Sequence, residues 1–232
     1  MSLPKLLLLH GALGAASQFD ELKKILEKNF EVLTFNFPGH GGREIPGKSF
    51  SFLLFTSSIL DFLVDKKIDS IDIFGYSMGG YAALWLAKEN PSRVNKIFTL
   101  ATKLDWNEDS SEREASMLNP LKMEEKIPAF AKVLEERHSP ADWKEVVNKT
   151  REMIIELGSQ HLEEKDFMAI KQSVIISVGE KDNMVGIDES RNTASLLPSG
   201  KFLSFPDMQH PFEKADLNHL VPALKSFFKG KQ

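Results

Sequence analysis

Short apolar runs alternating with stretches of helical character predict an α/β protein, with an open and mostly parallel sheet of about six strands and helices on both faces. Two further observations shape that expectation. Runs such as Leu6–Leu9 and Val174–Ile176 are continuous in apolar residues, as strands covered on both faces should be. Between the fourth and fifth runs the pattern fails: from Thr102 to about Asp166 the apolar residues fall at helical spacing, so a helical insertion is expected there.

Taken in order, the first strand is expected at Lys5–Leu9 and leads into "HGALG" at His10–Gly14. Its apolar run is too short for a signal core or a membrane span, so a buried strand in a cytoplasmic protein is the reading, with any secretion signal absent or removed. A helix over Ala16–Lys28 precedes a second strand at Val32–Asn36, which runs into the glycine-rich turn "FPGHGG" at Phe37–Gly42. A helix over Phe50–Asp65, a third strand at Ser70–Phe74, a helix over Met78–Asn90 and a fourth strand at Val94–Leu100 follow.

Residues 102–166 then form the insertion, and residues 1–101 with 167–232 form the core that it interrupts. Pro120, Pro128 and Pro140 punctuate the insertion and predict three or four short helices. Its large apolar residues are Trp106, Met117, Met123, Phe130, Trp143 and Met153; most are expected in its core, with a minority facing a pocket. Beyond it come a strand at Ser173–Val178, a helix over Asp188–Leu197, a strand at Lys201–Phe205 and a last helix over Pro211–Lys229.

Composition narrows the chemistry. The 232 residues are 42% hydrophobic with a net charge of −4, an ordinary globular balance without the basic footprint of a nucleic-acid binder. The chain has no cysteine, which excludes thiol catalysis, disulfides and thiolate metal sites. The insertion holds 16 Asp and Glu against 10 Lys and Arg, an acidic surface that would not draw in a polyanionic substrate.

"GYSMG" at Gly75–Gly79 stands between a strand and a helix, where G-x-S-x-G has a mechanical meaning. The sharp turn strains the serine backbone, the glycines admit close neighbours, and the hydroxyl of Ser77 is left at a helix N-terminus that favours developing negative charge. A serine hydroxyl needs a general base, and the base needs an orienting group. Among six histidines, His10 and His40 lie in turns, His138 and His161 in the insertion, and His219 on the last helix. His210 follows the last strand, so it falls on the same C-terminal edge of the sheet as Ser77, where open parallel sheets bind ligands. Asp182, in the loop after the fifth strand, is the leading acid; Asp105 after the fourth strand and Glu180 closer to the strand end are its rivals.

The order Ser77, Asp182, His210, together with "HGALG", "FPGHGG" and the insertion, resembles the α/β-hydrolase superfamily over nearly the whole chain, most nearly its small lid-bearing esterases, lipases and enol-lactonase-like members. That resemblance implies an α/β-hydrolase fold with residues 102–166 as its lid and the backbone amides of Ala12 and Met78 as an oxyanion hole. It also implies a serine hydrolase acting on a small-molecule ester, thioester or lactone with no metal or organic cofactor. Family members that attack with an aspartate are set aside because position 77 is serine. A lyase or synthase of the menaquinone-pathway type and a non-catalytic ligand-binding member are the alternatives. Two departures stand out. Only about four residues precede the first strand, where the family has two more strands, which leaves Val32–Asn36 at a sheet edge and raises the prospect of a homodimer through that edge or the lid. Gln209 stands where many relatives have glycine before the histidine.

Overall fold

The computed structural model describes residues 3–230. Six parallel strands, β1 (Lys5–Leu9), β2 (Glu31–Phe35), β3 (Ile71–Tyr76), β4 (Val94–Leu100), β5 (Ser173–Gly179) and β6 (Gly200–Phe205), form one sheet in the order β2-β1-β3-β4-β5-β6. β2 stands at one edge of the sheet, the place expected of Val32–Asn36.

Strand side chains alternate between faces, and both faces are covered, which is why the runs read as continuously apolar. Leu7, Ile73, Ile97 and Val174 lie opposite one another in register and point to one core, shared with Phe55 and Ile59 of α2 (Phe52–Asp65), Ala82 and Leu86 of α3 (Met78–Glu89) and Ala194 of α9 (Ile187–Leu196). Leu8, Phe74 and Phe98 point the other way, onto Leu22 and Leu26 of α1 (Asp20–Leu26) and Leu220 and Leu224 of α10 (Leu217–Lys229).

Most element ends fall within one or two residues of the expectation, and three differences have a local cause or bear on the site. β3 runs two residues beyond Phe74: Gly75 and Tyr76 keep their pairing with Thr99 and Leu100, so the first glycine of the motif belongs to the strand rather than to the turn. The expected helix over Ala16–Lys28 is a 3₁₀ turn at Ala16–Phe19 followed by α1. The last helix begins at Leu217 instead of Pro211, because the Asp216 carboxylate accepts the Asn218 amide at 2.9 Å and caps it there; a 3₁₀ turn at Phe212–Lys214 precedes the cap.

Between β4 and β5 lie five helices, not three or four: α4 (Glu108–Ser116), α5 (Pro120–Lys126), α6 (Pro128–His138), α7 (Trp143–Glu156) and α8 (Glu164–Ala169). Pro120 and Pro128 start helices, since the amide they lack is one that a first turn leaves unpaired. Asn107, Asn119 and Asp142 cap α4, α5 and α7 through their side chains. α8 straddles the expected boundary between residues 166 and 167. Among the described residues, no helix is long and apolar enough to cross a membrane.

One buried carboxyl runs against the apolar pattern of the strands. Asp72 on β3 is 7% exposed, and burial pushes its carboxyl up to about 6, with the Lys96 ammonium pulling partly the other way. A raised carboxyl favours the folded state fully only below the unfolded value of 3.8, and that advantage is lost as pH rises through 6. Asp72→Asn is therefore expected to stabilise the fold by about 1–3 kcal/mol at pH 7. Urea titrations should find the gain at pH 7 and little of it near pH 4.

Candidate functional site

The C-terminal ends of β1, β3, β5 and β6 meet at one rim, and the loop after each delivers one part of the site. Ser77 follows β3 with φ 51° and ψ −120°, a strained conformation for a residue with a Cβ. Its backbone is held from both sides: the Ser77 amide donates to the Leu100 carbonyl at 2.8 Å, and the Thr102 hydroxyl donates to the Ser77 carbonyl at 3.0 Å. The turn is too tight for side chains next to it, because a Cβ on Gly79 would lie 2.2 Å from the Leu9 carbonyl oxygen and one on Gly75 2.5 Å from Gly80 Cα.

His210, in the loop after β6, places Nε2 3.5 Å from Ser77 Oγ. Its Nδ1 lies 2.8 Å and 3.1 Å from the two carboxylate oxygens of Asp182, in the loop after β5. That carboxylate is fully buried and also accepts the amides of Met184 at 2.8 Å and Val185 at 2.9 Å, so its orientation is fixed by its own loop. Because a carboxylate can only accept, the tautomer of a neutral His210 that suits this contact carries its proton on Nδ1 and turns the Nε2 lone pair toward Ser77. The Tyr76 hydroxyl donates to the His210 carbonyl at 2.9 Å and steadies that loop. Of the rival acids, Asp105 is exposed and its amide bonds Glu189 at 3.1 Å, while Glu180 is exposed and accepts from Ser204 at 2.8 Å.

The remaining histidines have other partners. His10 is fully buried; its Nδ1 donates to the Gly11 carbonyl at 2.8 Å and its Nε2 accepts the Phe37 amide at 3.2 Å, tying the β1 loop to the β2 loop. His40 donates to the Pro38 carbonyl at 3.1 Å, and Asn36 joins the same loops by accepting the Ala16 amide at 2.7 Å. His138 on α6 accepts the Gly41 amide at 3.1 Å and donates to the Leu13 carbonyl at 3.2 Å. His161 donates to the Leu157 carbonyl, and His219 pairs with Asp216 at the surface.

His10, His40 and His138 form a buried row with ring centroids 5.3 Å and 5.6 Å apart. Burial pushes His10 down to about 3, His138 down to about 4 and His40 well below its ordinary value, so all three fold neutral. The unfolded imidazoles take up protons near 6.5, so the stability tied to them is complete above that pH and is lost as the pH falls through 4. Asp72 acts in the opposite sense over the same range, but it is one group against three. Net stability is expected to fall by about 2 kcal/mol or more between pH 7 and about pH 4.5, read as a falling urea midpoint. A midpoint that stays level across that range would contradict this.

Ser77 and His210 open onto a cavity of about 480 Å³ between the sheet rim and the helices that follow β4. Ala12 and Met78 line it beside Ser77, and neither backbone amide has an acceptor among the described residues. Of the six large apolar residues of the 102–166 segment, Trp106, Met117, Met123, Phe130 and Met153 line this cavity, and only Trp143 does not. More of them line it than the expected minority, because Met123 and Met153 are buried in the core and still reach the cavity. Sequence reasoning also missed Tyr76, Thr102, Lys103, Glu114 and Arg137, which either brace the site or line the cavity. None stands in a pattern that singles it out. The cavity's basic groups are paired, Arg137 with Glu213 at 3.0 Å and Lys103 with Glu189 at 3.8 Å. Among the described residues no group of three or more His, Asp or Glu side chains is arranged to hold a metal ion.

A family model described as the alpha/beta hydrolase fold matches residues 4–144. The serine hydrolase-like protein of Homo sapiens is 33% identical over 103 residues, covering 44% of this chain and 51% of that protein. The chain spans about a third to a half of the length of the curated relatives it matches. Among solved structures, the enol-lactonase from Burkholderia xenovorans LB400 superimposes with a TM-score of 0.77 at 18% identity, over 100% of this chain and 93% of that one. MenH from S. aureus does so with a TM-score of 0.81 at 20% identity, over 99% and 94% of the two chains. At such identities these likenesses speak for the fold alone. The family model runs from the first strand into the helices beyond β4, the solved folds match along the remainder, and the chain belongs to the alpha/beta hydrolase fold family.

Proposed function

We propose that the protein is a serine hydrolase that cleaves a carboxylic ester, thioester or lactone through an acyl-enzyme on Ser77. The observation that carries this reading is the line of side chains from Ser77 Oγ to His210 Nε2 at 3.5 Å and from His210 Nδ1 to Asp182 at 2.8 Å. The first distance is long for a hydrogen bond, as such contacts often are before substrate binds. In this mechanism Ser77 Oγ attacks the substrate carbonyl while His210 Nε2 takes its proton, and Asp182 stabilises the imidazolium that forms. The oxyanion would rest on the free amides of Ala12 and Met78, the latter at the head of α3; donors of this kind contribute about 3–4 kcal/mol each to the transition state. His210 then protonates the leaving group and activates the water that releases the acid.

In the same reading, residues 102–166 act as a lid over a core of residues 1–101 and 167–232, and the thioether-rich and aromatic wall receives the acyl group. The human relative named serine hydrolase-like supports the serine chemistry. The MenH likeness keeps an elimination in view, but the wall is mainly apolar and both of its basic groups are already paired with carboxylates, a poor match to a polycarboxylate substrate. p-Nitrophenyl esters of graded chain length, assayed beside lactone and thioester panels, test the proposal when combined with fluorophosphonate labelling. Turnover abolished by labelling at Ser77 is expected. A labelled serine without turnover of any ester, thioester or lactone would overturn hydrolysis in favour of elimination or binding alone.

A further inference from the structure

Two hydrogen-bonded steps, the first of them made twice, lead from α6 to the amide proposed to hold the oxyanion. The turn Gly11–Gly14 follows β1 and is closed by the Gly14 amide donating to the Gly11 carbonyl at 3.1 Å. Leu13 within it has φ 55°, a left-handed conformation that residues with a Cβ seldom adopt. Its carbonyl accepts two donors from adjacent residues of α6, Arg137 Nη1 at 3.0 Å and His138 Nε2 at 3.2 Å. Each acceptor and the next donor belong to one peptide group. The Leu13 carbonyl shares a peptide with the Gly14 amide, which donates to the Gly11 carbonyl; that carbonyl shares a peptide with the amide of Ala12, a residue that lines the cavity. The two α6 side chains are themselves anchored, Arg137 by Glu213 at 3.0 Å and His138 by the Gly41 amide at 3.1 Å.

Resting on the serine-hydrolase reading above, we infer that Arg137 and His138 are positioning residues for the oxyanion site. They hold the Leu13 peptide in its left-handed setting, and through the aligned peptides they aim and polarise the Ala12 N–H. The segment after β4 would then complete the catalytic apparatus as well as wall the cavity. Neither residue touches the reacting atoms, so the effect should fall on the transition state rather than on substrate affinity.

The test compares wild type with Arg137→Met, His138→Leu, the double variant and His138→Gln, which keeps an amide donor within reach of Leu13. With the best p-nitrophenyl ester, the double variant is expected to lose kcat by about 30–100-fold with KM changed by less than about threefold. Affinity for a trifluoromethyl ketone, whose adduct on Ser77 carries an oxyanion, should fall in parallel while binding of the product acid does not. His138→Gln should lose less than His138→Leu. Unchanged kcat and ketone affinity in a folded double variant would overturn the inference, and so would an equal loss of product-acid binding, which would mean that the cavity had simply collapsed. If wild type forms no ketone adduct and Ser77→Ala retains ester turnover, the serine-hydrolase reading itself fails and this inference with it.

Discussion

Ser77→Ala is expected to lower kcat for ester hydrolysis by about a millionfold, to a residue of activity due to the oxyanion site and binding alone. Members of such a constellation act as a unit, so adding His210→Ala to Ser77→Ala should cost little more. The alanine should be tolerated by the fold. The strained backbone at this position is held by the Leu100 carbonyl and the Thr102 hydroxyl, neither of which involves the Ser77 side chain, whose one recorded hydrogen-bond contact is the long one to His210. Product-acid affinity should therefore stay close to wild type. Retention of more than about a thousandth of kcat by a preparation free of wild-type enzyme would refute Ser77 as nucleophile.

Asp182→Asn should cost about ten-thousandfold in kcat, for a reason that can be read from the hydrogen bonds. One carboxylate oxygen accepts the amides of Met184 at 2.8 Å and Val185 at 2.9 Å, while the other lies 2.8 Å from His210 Nδ1. Asparagine must keep its carbonyl oxygen on the two amides, since its NH₂ cannot accept from them, and so its NH₂ turns toward His210. The imidazole answers by accepting at Nδ1 and carrying its proton on Nε2, the tautomer that cannot take the proton of Ser77. Circular dichroism and the urea midpoint should change little while turnover collapses. Near-normal turnover in this variant would require another orienting acid, yet of the carboxylates weighed for that role Asp105 and Glu180 are both exposed, and Glu180 accepts from Ser204.

The sheet was legible because burial on both faces writes itself into a strand as an unbroken apolar run, as at Leu6–Leu9 and Val174–Ile176. Ser77, Asp182 and His210 could be picked out for a related reason. Each follows a strand, parallel strands end at one rim, and few other residues of suitable chemistry occupy those loops. Arg137 and His138 carried no such mark. Their proposed roles depend on the rotation of α6 about its axis and on the twist of a four-residue turn far away in sequence, and neither is set by local propensity. The cavity wall was misjudged on similar grounds. Helical spacing shows that a segment has an apolar side; it does not say whether that side meets protein or an open space.

Five methionines, Met78, Met117, Met123, Met153 and Met184, contribute to that wall. An unbranched thioether turns freely about three bonds and re-forms around whatever it meets. A surface built this way is a pliant mould, which in the proposed reaction would be expected to accept guests of differing length and branching and to discriminate among them weakly. The same softness is a chemical exposure, because sulfoxide formation on any of these side chains would put a polar, wetted group where a hydrocarbon tail should lie.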